Sequence, residues 1–340
     1  MKLHRLLVCL LCAVGVCATA MAGKKEDDAR AARALVEAGT DTITAWAQVR
    51  IPAASIRTSG RHSAEMSTQA VMGTPLRVIE KGSGWWLIQT PDGYTGWIPS
   101  SSVVGKSAAD MARWRTGERM AVTSPFQVRM YEKPGADDSI DGIVTDLVNG
   151  SVLTVAGAPT LQGYCLLELP DGRKGFVNTK YLTPARDWAD QPFDADRIIA
   201  VASSMMGTPY LWGGTSTKAL DCSGLAKVSY LDNGRILMRD ASQQAVTGTR
   251  IEASDWRKCR KGDLLFFGDA DTRRVTHVAI YDHDGEYVHS SGRVKRNSVD
   301  PAAESYLTTP FLHAVRIAGN EGTPGITRVI DHPWYFDTKK

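Results

Sequence analysis

The sequence predicts an α+β protein of several domains, two small β-barrels followed by a mixed domain built around a reactive cysteine. Three observations predict it. Residues 86–98 align with residues 165–177 at an offset of 79 (86 to 165), and both copies read strand, Asp-Gly turn, strand. Further on, Asp221-Cys222-Ser223-Gly224-Leu225 passes from a Gly-rich loop into an apolar-periodic segment with Leu225, Val228 and Leu231 on one stripe. Beyond that, two histidines stand on strands flanking an Asp-Gly turn. The chain has 340 residues, 43% of them hydrophobic, enough to bury two or three separate cores.

The elements follow in chain order. Lys2 and Arg5, the apolar run from Leu6 to Val16, and Ala20-Met21-Ala22 before Gly23 predict a secretory signal over residues 1–22. The run is too short to anchor the chain across a membrane, so export to the periplasm or the cell exterior is expected. A lipoprotein would use Cys17, but Val16 is a poor residue to precede a lipidated cysteine. Residues 23–50 are expected to hold a helix carrying Ala29, Ala32, Leu35 and Val36. The two β-barrels are expected over 51–108 and 109–184, and the proline-interrupted, charged stretch 185–193 reads as a linker into a third domain over 194–340.

Composition narrows the function classes. Loss of the signal removes Cys9, Cys12 and Cys17 and leaves Cys165, Cys222 and Cys259, an odd and sparse set that argues against a disulfide framework. Cys165 reads as a strand core residue, and Cys259 has no metal-ligand partner nearby in sequence, so no metal or nucleotide cofactor is expected. Signal removal takes two of the 40 Lys and Arg and none of the 37 Asp and Glu, leaving 38 against 37, a net charge of +1. Without a concentrated basic face, nucleic acid is not an expected partner.

Cys222 is the candidate nucleophile. At the first turn of a helix, unpaired N–H groups and the positive end of the dipole favour the thiolate, the reactive form of cysteine. The base should come from the strand holding His277, with the returning strand holding His289. If the loop between them is His283-Asp284-Gly285 with glycine left-handed, Asp282 faces Glu286 and His289 falls opposite Ala279. His277 and His289 then share a face diagonally, roughly 7–8 Å apart at the backbone, a gap imidazoles can bridge. A two-residue turn would put His289 on the other face. His277 would move the proton and His289 would hold its ring in the working tautomer. His313 reads as a structural strand histidine and His283 as a turn residue.

These residues resemble the NlpC/P60 cysteine peptidases of bacterial cell walls, which are papain-like in architecture. The likeness is carried by Gly207-Thr208-Pro209-Tyr210-Leu211-Trp212-Gly213-Gly214, by residues 221–225, and by Arg239-Asp240-Ala241-Ser242-Gln243-Gln244. Residues 261–267, 276–279 and 289–290 extend it over most of 194–318. The resemblance implies Cys222 as nucleophile, His277 as base and His289 as third member. It also implies that the Tyr210 hydroxyl lies beside the sulfur, where it could meet an oxyanion, unless Tyr210 is simply a core residue.

The Asp-Gly-x-x-Gly-aromatic pattern of the repeat resembles bacterial SH3 domains. Such barrels either target the wall or, in a subgroup resembling γ-D-glutamyl-L-diamino acid endopeptidases, close the cleft over stem peptides with a free N-terminal L-alanine. The second case implies Glu65, Tyr94 and Asp221 as partners of the ammonium, with Ser223 and Ser242 donating to the peptide. Otherwise Glu65 is a solvated charge, Tyr94 packs in a barrel groove and Ser242 caps a helix. The expected partners are thus peptidoglycan stem peptides or muropeptides. Alternative readings are an amidase or endopeptidase acting on intact sacculi, or a wall-fragment binding protein with a dead catalytic domain.

Overall fold

The computed structural model describes residues 26–40, 43–124, 126–136 and 139–337; the expected signal, with its three cysteines, lies outside the described residues. A helix over 26–37 leads into two seven-stranded antiparallel sheets, one running from Trp46–Val49 to Val103–Lys106 and the other from Arg119–Val122 to Leu182–Pro184. Both have the same spatial order: third, second, sixth, fifth, fourth, first and seventh strand. The sequence repeat is the fifth and sixth strands of each barrel. Trp86 pairs with Ile98 and Ile88 with Gly96 in the first, and Cys165 with Val177 and Leu167 with Gly175 in the second.

The glycine of each repeat is dictated by close approach. A Cβ on Gly96 would stand 2.5 Å from Ile56 Cγ2, and one on Gly175 would stand 2.4 Å from Met130 Cγ, where the second strand crosses over the barrel core. Ile56, Leu76, Ile88 and Ile98 fill the first core, and Met130, Leu153, Leu167 and Val177 fill the second.

Two expectations need correction here. The first sheet begins at Trp46, inside the segment expected to be helical, because Trp46–Val49 is buried throughout and pairs with both Pro75–Lys81 and Val103–Lys106. The expected linker contains the helix Ala185–Asp190, whose Trp188 is buried and donates from Nε1 to the Leu231 carbonyl at 2.9 Å. Trp188 belongs to an aromatic core shared by Trp46, Trp114, Trp334, Tyr335 and Phe336, with Trp46 and Trp334 edge to face at 5.4 Å. Burying roughly 200 Å² per ring at about 25 cal/mol/Å² contributes on the order of 5 kcal/mol each, before entropy. Surface pairs between the lobes, such as Lys218–Asp146, are worth at most about 1 kcal/mol, so the aromatic core fixes the barrels against the third domain.

That domain has a six-stranded antiparallel sheet in the order Thr249–Glu252, Phe311–Arg316, Leu264–Gly268, Val275–Tyr281, Glu286–Ser291, Arg293–Ser298. The helices Ala195–Ser204 and Cys222–Asp232 pack on it through Ile198, Ala202, Leu225 and Val228 against Phe266, Val278, Ile280 and Val288. The histidine hairpin has the odd loop the sequence required. Ile280 pairs with Val288 and Tyr281 with Tyr287, the Asp282 N–H donates to Glu286, and Asp284 and Gly285 both have positive φ. His289 therefore lies opposite Ala279 on the face of His277.

Candidate active site

The candidate nucleophile, Cys222, is placed by its neighbours. Asp221 caps the helix Cys222–Asp232 by accepting from the Gly224 N–H at 2.7 Å, so Cys222 is its first residue, as the sequence implied. Gly224 lets the helix start press on the preceding loop: a Cβ there would sit 1.9 Å from the Gly214 carbonyl oxygen. Cys222 is 8% exposed, and its sulfur is hydrogen-bonded by the backbone N–H groups of Ser223 and of Val278, the residue after His277. Burial, then the Asp221 charge, push the thiol up to about 11, outweighing the pull of those two N–H groups and of Arg239. The helix terminus thus acts as expected in direction but is outweighed by burial and Asp221.

His277 and His289 meet, His277 Nε2 lying 2.7 Å from His289 Nδ1. His289 Nε2 lies 2.9 Å from Asn297 Oδ1, a residue that the sequence reading did not single out. Burial, then the neighbouring His289, push His277 down to about 3, and burial pushes His289 down to about 4. Neither the thiol nor the imidazole ionises alone. Burial thus leaves the thiol and the imidazole both neutral near pH 7.

Cys222 opens onto a cleft of about 570 Å³ between the first barrel and the third domain. The barrel supplies Glu65 and Tyr94, and the third domain supplies Tyr210, Trp212, Asp221, Ser223 and Ser242. Every substrate-binding residue named from the sequence therefore lines one cavity, together with Cys222 and Tyr210. Tyr210 is half-buried, with its hydroxyl pKa raised by burial and by Cys222. Ser242 is the second residue of the helix Ala241–Gln244, two positions past its N-cap Asp240, so it does not cap it. Glu65 accepts from Trp212 Nε1 at 2.7 Å, a contact that bridges barrel and domain. His313 donates to or accepts at no catalytic group; its Nε2 lies 3.0 Å from the Ala245 carbonyl oxygen, as befits a structural residue.

Charge is distributed unevenly around the cleft. Asp221 accepts from Gly213 N, Gly224 N, Ser223 Oγ and both terminal nitrogens of Arg239, a guanidinium only 2% exposed. Asp92 pairs with Lys227 at 2.6 Å. Glu65 and Asp240 have no cation within ion-pair distance among the described residues. Tyr94 hydrogen-bonds Asp240, and burial with that carboxylate pushes the phenol up to about 12. Burial also raises the Asp240 carboxyl against the pull of Arg239. Arg239 and Asp240 were inside a motif read from the sequence but had no role assigned there; the signal for them is two opposite charges directly before a helix start.

The profile described as the NlpC/P60 family matches residues 207–316, and that of the bacterial dipeptidyl-peptidase SH3 domain matches residues 56–103. The chain is 30% identical over 245 residues to dipeptidyl-peptidase 6 of Lysinibacillus sphaericus, covering 70% of this chain and 85% of that protein. It is 36% identical over 235 residues to the gamma-D-glutamyl-L-lysine dipeptidyl-peptidase of Bacillus subtilis, covering 66% and 72%. The crystal structure of an NlpC/P60 family protein from Bacillus cereus superposes with a TM-score of 0.67 at 23% identity, over 80% of this chain and 99% of that one, a likeness of fold.

Proposed function

Because the chain belongs to the NlpC/P60 family and is a cell-wall cysteine peptidase, we propose that it is exported and cuts the bond between γ-D-glutamate and the diamino acid in peptidoglycan stem peptides that bear a free N-terminal L-alanine. The observation that carries the substrate is the cleft's charge pattern. One end holds the thiol, and the barrel end holds Glu65 and Asp240 without a cation, beside the Tyr94 hydroxyl. A buried ammonium is costly unless carboxylates and acceptors meet it, and this cleft provides them in advance. Asp221 adds carboxylate oxygens at the same wall, with its charge matched by Arg239. A stem still joined to glycan presents an amide there and leaves the carboxylates unmatched.

In the reaction, Cys222 Sγ attacks the γ-carbonyl carbon while its proton passes to His277 Nδ1. The Cys222 N–H and the Tyr210 hydroxyl meet the oxyanion. Collapse breaks the C–N bond, His277 protonates the departing amine, and a γ-glutamyl thioester remains on Cys222. The same imidazole then deprotonates water, which attacks the thioester and returns the thiol. Among the described residues no helix is long and apolar enough to cross a membrane, and export rests on the expected signal.

The test is product analysis by mass spectrometry on stem tripeptides with free and acetylated N-termini. Release of L-Ala-γ-D-Glu from the free peptide alone is expected, with no release by Cys222→Ala. Equal rates on both peptides would remove the ammonium pocket, and release by Cys222→Ala would remove the mechanism.

A further inference from the structure

We infer that Asn297 is a positioning residue of the catalytic machinery: its side-chain amide, locked by the Ser305 carbonyl, sets the tautomer of His289 and through it that of His277, turning the His277 Nδ1 lone pair toward the thiol. The inference rests on the peptidase reading above for its kinetic consequence, though not for its geometry.

The tautomers follow from what each atom can donate or accept. Asn297 Nδ2 lies 2.7 Å from the Ser305 carbonyl oxygen, which can only accept. The amide nitrogen must therefore face Ser305, and the amide oxygen must face His289 Nε2 at 2.9 Å. That oxygen cannot donate, so His289 Nε2 bears the hydrogen. A neutral imidazole has one N–H, so His289 Nδ1 is a lone pair, and His277 Nε2, at 2.7 Å from it, must donate. His277 Nδ1 is left as an acceptor, with no hydrogen bond to it among the described residues, in the ring that neighbours the Cys222 sulfur through Val278.

The anchor is itself fixed. The Ser305 carbonyl also accepts from the Ser298 N–H at 3.0 Å, and Ser298 bridges to Tyr306. Asn297 stands on Arg293–Ser298 across from Tyr287 and diagonal to His289. The groups facing the two imidazoles are the Phe267 ring, 6.0 Å from His277, the Tyr287 ring edge-on to His289 at 5.1 Å, and Lys295 directly across from His289. Lys295 disfavours a positive imidazole, and burial disfavours it further. The relay therefore ends in a neutral amide and backbone, and its contribution is orientation rather than charge.

Two measurements test this. Long-range ¹H–¹⁵N NMR on the histidine-labelled wild type near neutral pH should show His289 and His277 both protonated at Nε2; protonation of His289 at Nδ1 would overturn the inference. Kinetically, Asn297→Leu removes the acceptor, and kcat should fall about 10- to 100-fold with KM within about twofold, the pattern of a mis-set tautomer. Asn297→Asp keeps an acceptor for His289 Nε2 but loses the donor to the Ser305 carbonyl, so it should recover only part of the kcat lost in Asn297→Leu. A kcat for Asn297→Leu equal to wild type, or an Asn297→Asp variant no faster than Asn297→Leu, would overturn it. If Asn297→Leu fails to fold, the wild-type tautomers still decide. A wild type that cleaves no stem peptide would sink the proposed substrate while leaving the tautomer result standing.

Discussion

Asp221→Asn should make this enzyme less stable and its thiol more acidic at once. The side chain accepts from two backbone N–H groups, one hydroxyl and both ends of the Arg239 guanidinium. An amide can keep its oxygen toward Gly224, but its NH₂ then faces the Gly213 N–H and Arg239, which only donate. Arg239 becomes an unpaired cation, 2% exposed, and removing one partner of a buried pair costs about 3–5 kcal/mol. At roughly 2–4 °C per kcal/mol for a lobe of this size, Tm falls by roughly 6–20 °C. Asp221 is also the largest cause after burial that raises the Cys222 thiol, so its neutralisation brings the thiol below about 11. Calorimetry reads the first effect and the pH dependence of iodoacetamide alkylation the second. A Tm unchanged within about 2 °C, or a thiol that titrates at higher pH than in wild type, would refute the pairing of Asp221 with Arg239.

Acidification should destabilise the fold. Burial depresses His277 to about 3 and His289, His313 and His332 to about 4, below the unfolded value near 6.5. The unfolded state then binds more protons, so the stability present above pH 6.5 is lost as pH falls, by about 1.4 kcal/mol per pH unit for each histidine; a Tm that is flat from pH 7 to 5 would contradict this. Gly224→Ala should cost at least about 3 kcal/mol, because no rotamer relieves a Cβ placed 1.9 Å from the Gly214 oxygen, and soluble variant of wild-type Tm would show the loop to be softer than described. Glu65→Gln should lower kcat/KM on free-amine stems about 10- to 100-fold with Tm unchanged, and an unaltered kcat/KM would place the ammonium elsewhere.

What the sequence reveals here depends on how local the determining physics is. The hairpin register was readable because strand alternation and the Asp284-Gly285 turn are short-range, and one residue of loop length decides on which face His289 falls. The repeat and the helix start at Cys222 were readable for the same reason. The contacts made over long sequence separations were not. Trp46 pairs with Trp334 across the chain, and that aromatic core turns an expected linker into the helix Ala185–Asp190. Asn297 was invisible because its role comes from a carbonyl eight residues on and a histidine eight residues back, neither of which marks it in sequence. A thiolate at the helix terminus is favoured locally and is outweighed by burial, which only the packed structure sets.

Under the proposed function the cleft has to meet two electrostatic demands that oppose each other: an ammonium calls for negative charge, and a forming thiolate is hindered by it. The structure separates them by pairing. The carboxylate next to Cys222 is Asp221, and it carries Arg239; the carboxylates without a cation, Glu65 and Asp240, stand with Tyr94 toward the barrel. Arg239 should therefore be as important to the sulfur as to stability. In Arg239→Met, three donors, Gly213 N, Gly224 N and Ser223 Oγ, still point at Asp221, and its uncompensated charge pushes the thiol above about 11. Asp221→Asn moves the thiol the other way, and in the double variant the two shifts should largely cancel, since neither charge remains. Alkylation profiles of the three proteins measure this directly. If both single variants moved the thiol in the same direction, the ion pair would not be what sets the field at the sulfur, and the separation of the two demands would have to come from distance alone.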